Sequence, residues 1–172
     1  MKQQIFIIDT SALLSGKTFN VSDVKLITTT SVSKELNPGG ADFRNFQYLK
    51  EMGLRIISAS KGSINKIKNV AQETGDLNKL SEADIEILAL ALDLNENKNN
   101  QIFILTDDYA IQNIANYLNL KFKTMSQRGI TKNFKWYYRC PGCGKQFKAS
   151  IKICPICGTE TKITIGQKHR IK

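Results

Sequence analysis

All four cysteines of this 172-residue chain lie in one short window, as Cys140-Pro141-Gly142-Cys143-Gly144 and Cys154-Pro155-Ile156-Cys157-Gly158. The spacing is C-x2-C, ten residues, C-x2-C. Each pair can turn two thiolates toward one point, and the glycine that follows permits the positive φ of such a knuckle. Four thiolates around one tetrahedral Zn²⁺ follow from that pattern. A disulfide framework does not suit an intracellular chain, and a redox Cys-x-x-Cys has no need of a second copy. Sulfur fills every coordination position, so the metal is structural. About thirty residues are too few to fold on a core of their own, and the metal supplies the missing folding energy. Short strands over 136–139, 146–149 and 162–165 complete an expected zinc ribbon over 136–165.

The ribbon sits in a basic region. Residues 1–120 hold 12 Lys/Arg against 14 Asp/Glu, whereas residues 121–172 hold 13 Lys/Arg against the single acid Glu160. A nearly neutral body therefore carries a strongly cationic end, which attracts polyanions through counterion release. Arg128, Lys132, Lys135, Arg139, Lys145, Lys148 and Lys152 supply charge there, interleaved with Trp136 and Tyr138, and aromatics of this kind stack on unpaired bases. These nine residues are the candidate RNA contacts, the expected partner being single-stranded nucleic acid. Some of the aromatics are instead expected to fill the small ribbon core.

The body alternates strand and helix patterns. Continuous apolar runs at 4–8 and 101–105 suit strands buried on both faces of a parallel sheet. Further strands are expected over 24–29, 54–58 and 121–125. Helices are expected from 32, over 43–52, from 64 to a stop at Gly75, over 81–94 and over 108–118. This alternation predicts an α/β fold, a parallel sheet flanked by helices. The expected organisation is a nuclease-like body over 1–125, a polar linker over 126–135, the zinc ribbon over 136–165 and a basic tail over 166–172. There is no signal-peptide pattern and no apolar run near the ~20 residues of a membrane span, so a soluble, cytoplasmic chain is expected.

Two body strands end alike, the first in Asp9 and the fourth in Asp107. Ligands of open parallel sheets bind beyond the carboxyl ends of strands. Asp84, in the first turn of the most apolar helix, and Glu35, after the second strand, are expected near the same rim. Packed carboxylates repel and raise one another's pKa, a cost that Mg²⁺ or Mn²⁺ removes, since these hard cations prefer oxygen ligands. The only histidine is His169 and the body has no cysteine, so His-based or triad chemistry is excluded there and metal-assisted hydrolysis is what its residues support. Each acid also has a simpler reading. Asp84 can form a capping box with Ser81, Asp107 or Asp108 can cap the following helix, Asp9 can start the first helix, and Glu35 can be a solvated helix residue. Glu82 and Glu86 are expected to face away from the rim.

The ordered stretches Ile8-Asp9-Thr10-Ser11-Ala12-Leu13, Val32-x-x-Glu35-Leu36, Leu80-Ser81-x-x-Asp84-x-x-x-Leu88-Ala89-Leu90-Ala91 and Thr106-Asp107-Asp108-Tyr109-Ala110-Ile111-Gln112-Asn113 resemble the motifs of PIN-domain ribonucleases. With the paired Cys-Pro-x-Cys knuckles the chain resembles the Nob family in its compact, archaeal-type form. That resemblance implies catalytic Mn²⁺ or Mg²⁺ held by Asp9, Glu35, Asp84 and Asp107. It also implies attack by metal-activated water, leaving a five-prime phosphate and a three-prime hydroxyl. The implied substrate is the three-prime end of precursor small-subunit rRNA during ribosome biogenesis, and the implied partners are the small ribosomal subunit and its assembly factors. A non-catalytic RNA-binding assembly factor is the alternative, its acids serving only as helix caps. Toxin-type PIN ribonucleases resemble the body but lack the ribbon.

Overall fold

The computed structural model describes residues 3–15, 24–96, 99–125, 132–148 and 151–170, with the backbone alone for 132–135 and 165–170. Five parallel strands form the main sheet: β1 (Gln3–Ile8), β2 (Val24–Thr28), β3 (Arg55–Ile56), β4 (Asn100–Leu105) and β5 (Phe122–Lys123), in the order β3-β2-β1-β4-β5. The two apolar runs read from the sequence become the neighbours β1 and β4. Ile5, Ile7 and Ile8 in β1, and Ile102, Ile104 and Leu105 in β4, are all buried. The edge strands are shorter than the sequence suggests, because each has one neighbour and only two paired positions.

Helices α1 (Thr10–Leu14), α2 (Thr30–Glu35), α3 (Ala41–Glu51), α4 (Lys61–Thr74), α5 (Glu82–Asn95) and α6 (Tyr109–Tyr117) connect or follow these strands, with a 3-10 turn at Leu77–Lys79. Helix α5 is apolar on nearly every side, with Ala83 and every residue from Ile85 to Ala91 buried. It is the central helix of the core, packed on α4 and β4. Glu86 is the one acid among those buried positions, and Oε2 accepts the Ser31 amide at 2.9 Å. It thereby caps the start of α2.

Asp93, also on α5, holds the start of α4. Its carboxylate accepts the Ser60 amide at 2.7 Å, the Ser60 hydroxyl at 2.9 Å and the Ser63 hydroxyl at 2.5 Å. These bonds keep its carboxyl below the ordinary range although burial pushes the other way.

A second, antiparallel sheet has the order β7-β6-β8, from β6 (Lys132–Arg139), β7 (Gln146–Phe147) and β8 (Lys162–Arg170). This corrects two expectations. Lys132 to Lys135 belong to a strand rather than a linker, and residues 166–170 are strand rather than tail. Lys132 pairs with Arg170 and Phe134 with Lys168, so each segment supplies the hydrogen-bond partners the other lacks. Their polar character reads as solvated loop only while the partner strand is ignored. Residues 126–131 and the side chain of His169 lie outside the described residues. No described helix is long and apolar enough to cross a membrane.

Asp93→Ala removes three hydrogen bonds from the α4 start and is expected to destabilise the protein by about 2 kcal/mol, measured by denaturant unfolding with an unchanged slope. The folded pKa is depressed, so the carboxylate's contribution holds above the unfolded value and fades as pH falls through the folded one. The difference between wild type and variant should therefore shrink in strong acid.

Candidate active site and metal centre

Strands β1 and β4 pair in register, Ile8 opposite Leu105, which brings Asp9 and Thr106 side by side where the chain leaves the sheet. The sheet runs outward from this pair in opposite directions, so the rim lies at the topological switch point where α/β folds bind ligands.

Asp9 is only 2% exposed, and polar groups surround it. Oδ1 accepts the Thr10 amide at 2.7 Å, capping α1. Oδ2 accepts two hydroxyls, Ser11 at 2.7 Å and Thr106 at 2.8 Å. Each hydroxyl in turn accepts an amide from the start of the next segment. The Asp107 N–H reaches Ser11 Oγ at 3.0 Å, and the Asp108 N–H reaches Thr106 Oγ1 at 3.0 Å. Two short relays thus run from the backbone after β4 into one carboxylate oxygen. A hydroxyl has one proton to give. With an amide donating to each oxygen, these two protons point at Asp9, which favours its ionised form. Burial outweighs them and holds the carboxyl above the ordinary aspartate range.

Asp84 lies in the first turn of α5 and forms the capping box with Ser81. Oδ2 accepts the Ser81 amide at 2.7 Å, and the Asp84 amide donates to Ser81 Oγ at 3.1 Å. Burial raises its pKa, and the nearby charges of Asp9 and Asp108 add to the effect. Glu35 is exposed at the end of α2, and Oε2 accepts the Thr10 hydroxyl at 2.7 Å. Asp107 Oδ1 accepts the Met125 amide beyond β5 at 2.8 Å. Asp108 is the N-cap of α6, accepting the amides of Ala110 at 2.6 Å and Ile111 at 3.2 Å.

The capping roles weighed in the sequence are therefore real for Asp9, Asp84 and Asp108, and they coexist with convergence. Asp9, Asp84 and Asp108 are close enough for their charges to act together on Asp84. The Glu35 carboxylate accepts the hydroxyl of Thr10, whose amide donates to Asp9, while Asp107 is linked to Asp9 through its backbone amide and the Ser11 hydroxyl, its own carboxylate taking the Met125 amide. Sequence reasoning missed Asp108 as a rim charge, and it also missed Ser11 and Thr106, whose signal was the hydroxyl next to each strand-end acid. Among the described residues no Lys or Arg forms an ion pair with Asp9, Glu35, Asp84 or Asp108. A buried carboxylate such as Asp9 with partly buried acids near it suits a hard divalent ion. They are not drawn into direct mutual contact, since the cysteines form the one described group of three or more such side chains whose ligand atoms all lie within 4.8 Å.

The cysteine centre is built from two matching knuckles. The Cys140 amide donates to Lys145 O and the Gly144 amide to Cys140 O, while Cys154 and Gly158 repeat the pattern with Thr159 O and Cys154 O, all at 2.9 Å. Gly144 and Gly158 take φ values of +74° and +72°, as the knuckle pattern anticipates. Cys140 and Cys154 are buried, Cys143 and Cys157 exposed, and none is in a disulfide. Cys140 and Cys157 Sγ lie 3.3 Å apart, and Cys143 and Cys154 Sγ 3.6 Å. Four thiolates at about 2.3 Å from a tetrahedral ion stand about 3.8 Å apart, so this quartet fits a four-sulfur metal site and a zinc ribbon. The hydroxyl and amide of Thr159 lower the Cys157 thiol, while the neighbouring sulfurs push Cys143 upward. Gly142 leaves room for Thr159, since a Cβ there would lie 2.6 Å from Thr159 Oγ1.

Arg139, Lys145, Lys148 and Lys152 are exposed on the ribbon. Trp136 and Tyr138 are half-buried and meet the body instead: the Lys79 ammonium lies 3.2 Å from the Trp136 ring centroid, and Asn78 Nδ2 donates to Tyr138 Oη at 3.2 Å. The side chains of Lys132 and Lys135, and all of Arg128, lie outside the described residues.

Residues 6–94 match the family described as the PIN domain of ribonuclease, and the chain belongs to that family. It is 37% identical to Endoribonuclease Nob1 of Archaeoglobus fulgidus, over 93% of this chain and 90% of that protein. It is 35% identical to Endoribonuclease Nob1 of Pyrococcus abyssi, over 91% of each. A protein named Ribonuclease VapC1 from Thermoplasma acidophilum is 38% identical over 92% of this chain and 77% of that one.

Raised carboxyls at Asp9 and Asp84 cost stability at neutral pH, and the cost disappears as pH falls through their folded values toward the ordinary one. Without divalent ions the thermal midpoint is expected to rise on mild acidification. At neutral pH, Mn²⁺ or Mg²⁺ should raise it saturably. Asp84→Asn keeps an acceptor for Ser81, so it should raise the ion-free midpoint and remove most of the ion-dependent gain; an undiminished gain would place the ion elsewhere. Chelation of the cysteine-bound metal should abolish the β6–β8 amide protection in hydrogen exchange while the helical unfolding transition of the body survives.

Proposed function

We propose that the chain is a divalent-metal-dependent endoribonuclease that cleaves precursor small-subunit rRNA at its three-prime end during ribosome biogenesis. The observation carrying this reading is the gathering of Asp9, Asp84 and Asp108 at the switch point beside a basic ribbon. The relatives' names point the same way. Asp9, Glu35, Asp84 and Asp107 are the proposed catalytic metal ligands, with Asp108 as a fifth rim charge. Mn²⁺ or Mg²⁺ bound there supplies Lewis acidity at the scissile phosphodiester.

The chain's own residues do the rest. The two hydroxyl relays hold Asp9 oriented and ionised. Asp84 is fixed by its capping box at the positive end of α5, where the helix dipole favours an anionic group. Glu35 flanks the rim at the end of α2, and Asp107 follows β4, tied to the Met125 amide beyond β5. Asp9 sits below the surface, which limits the water that can compete for its oxygens. Zn²⁺ is the proposed metal of Cys140, Cys143, Cys154 and Cys157, with a structural role. The exposed Arg139, Lys145, Lys148 and Lys152, together with Arg128, Lys132 and Lys135, are proposed to hold the phosphates of a single-stranded segment. The proposed setting is cytoplasmic, on the small subunit with its assembly factors.

One observation favours a second reading, a non-catalytic RNA-binding assembly factor: Asp9, Asp84 and Asp108 all cap helices. Incubation with a precursor spanning the small-subunit three-prime end, with and without Mn²⁺, separates the two. The nuclease is expected to give one mapped cut with a five-prime phosphate, and Asp9→Asn and Asp84→Asn should each lower the rate at least about 100-fold while RNA affinity and the circular dichroism of the folded chain stay near wild type. RNA binding without Mn²⁺-dependent turnover would support the assembly factor. Full cutting by both variants would refute the acid assignment.

A further inference from the structure

We infer that Lys79 and Trp136 form a clasp that seats the cysteine ribbon on the body and so positions ribbon-held RNA over the acidic rim; the positioning half rests on the nuclease reading above.

The contact begins with backbone. Helix α4 ends at Gly75, in the left-handed region at φ +79°. A Cβ there would lie 2.6 Å from the Trp136 carbonyl oxygen and 2.9 Å from its Cβ. Strand β6 therefore crosses the end of α4 at a distance only glycine permits. Beyond Gly75 the chain turns through Asp76, which is 1% exposed. One carboxylate oxygen of Asp76 accepts Asn113 Nδ2 from α6 at 2.6 Å, and the other lies 3.4 Å from Lys79 Nζ. The same ammonium sits 3.2 Å from the Trp136 ring centroid. Next to it, Asn78 donates to the Tyr138 hydroxyl at 3.2 Å. The end of α4 and the turn Leu77–Lys79 thus meet Trp136 and Tyr138 of β6, while α6 holds Asp76 through Asn113.

The chemistry explains why this combination holds. A buried carboxylate needs its charge answered, and Lys79 answers it while Asn113 fixes its other oxygen. Lys79 is itself partly withdrawn from water, its side chain 33% exposed, which strengthens a cation–π contact relative to a fully solvated one. The Trp136 face thereby becomes a third member of the Asp76–Lys79 pair. Removing the ribbon would leave the ammonium and the carboxylate without that cover. The location matters as much as the strength. Lys79 is followed after Leu80 by Ser81, the N-cap of α5, whose hydroxyl and amide hold Asp84. The turn that grips the ribbon is the same peptide that leads into the rim helix. Ribbon and acids are therefore referenced to one short segment, and an RNA strand held by the exposed ribbon lysines meets the acids at a fixed offset. Lys79 and Trp136 act as positioning residues, since neither touches the reacting atoms.

Trp136 is the only tryptophan in the chain, so its fluorescence reports the clasp directly. The test uses full-length, zinc-loaded protein as wild type, Lys79→Met, which keeps the side-chain length without the charge, and Lys79→Arg, which keeps the charge. Acrylamide quenching of Trp136 is expected to increase in Lys79→Met and to stay near wild type in Lys79→Arg, with circular dichroism unchanged in both. On a precursor long enough to reach ribbon and rim together, Lys79→Met should raise KM about fivefold with kcat retained, the size expected for loss of one partly desolvated cation–π contact. On an oligonucleotide of a few nucleotides that reaches the rim alone, it should leave kcat/KM unchanged. Quenching identical in Lys79→Met and wild type overturns the clasp. Increased quenching with equal losses on the long and short substrates, or with none, overturns the positioning role. If wild type cuts neither RNA, the nuclease reading fails and takes the positioning role with it, while the quenching comparison still decides the clasp.

Discussion

The register of β1 against β4 is the constraint on which the rim depends. Because Ile8 lies opposite Leu105, the two strands end level, and the residues just beyond them, Asp9 and Thr106, become neighbours although 97 positions separate them in sequence. A slip of one residue would send Asp9 to the other face of the sheet and dissolve both hydroxyl relays. The apolar runs that enforce the register are buried on both faces, so hydrophobic burial, the largest favourable contribution to folding, indirectly fixes a buried carboxylate in place. The local groups then refine its orientation through Thr10, Ser11 and Thr106.

Burying Asp9 and drawing Asp84 and Asp108 toward it works against stability, and both Asp9 and Asp84 respond with raised pKa values. The structure offsets part of this cost with helix starts. Asp9, Asp84 and Asp108 each satisfy backbone amides that would otherwise lack partners at the first turns of α1, α5 and α6. Capping and metal affinity are therefore not competing explanations of the same residue. A carboxylate has two oxygens and about four lone-pair directions, so a cap can be made on one side while the other remains available to a cation. The cap contributes orientation that a free surface acid would lack.

Much of this was legible in the sequence, and the parts that were not share a cause. The strands of the main sheet were readable because parallel strands buried on both faces are continuous apolar runs. The cysteine knuckles were readable because metal geometry dictates ligand spacing. The acids were locatable because strand ends and helix starts carry local signals. Asp107 and Asp108 were not separable, since adjacent residues point in different directions and only the backbone at the α6 start, φ −75° and ψ 122° at Asp108, makes that residue the cap. The lengths of β6 and β8 were hidden because each is polar and finds its reason for being a strand in the other. Trp136 and Tyr138 read as RNA contacts by composition, because an aromatic among lysines has that meaning only on an open surface. Here a body lysine, Lys79, lies against the ring.

That last case bears on how charge is divided between the two parts of the chain. A neutral body and a cationic ribbon would be expected to hold together weakly by net electrostatics, since the ribbon has little to attract it to the sheet. Specific contacts do what net charge does not. At the junction the polarity is reversed: the body supplies the cation, Lys79, and the ribbon supplies the apolar face and hydroxyl of Trp136 and Tyr138. Lys145 and Lys152 of the ribbon are exposed, and Lys148, also exposed, lines a cleft with Asn69, Gln72 and Glu73 of α4. A ribbon attached through its own lysines would have had to give up part of its affinity for phosphate to stay in place. Attachment through aromatics, a glycine and a borrowed lysine leaves exposed ribbon cations such as Arg139, Lys145 and Lys152 free of the junction, and the turn that makes the attachment is the one that leads into α5.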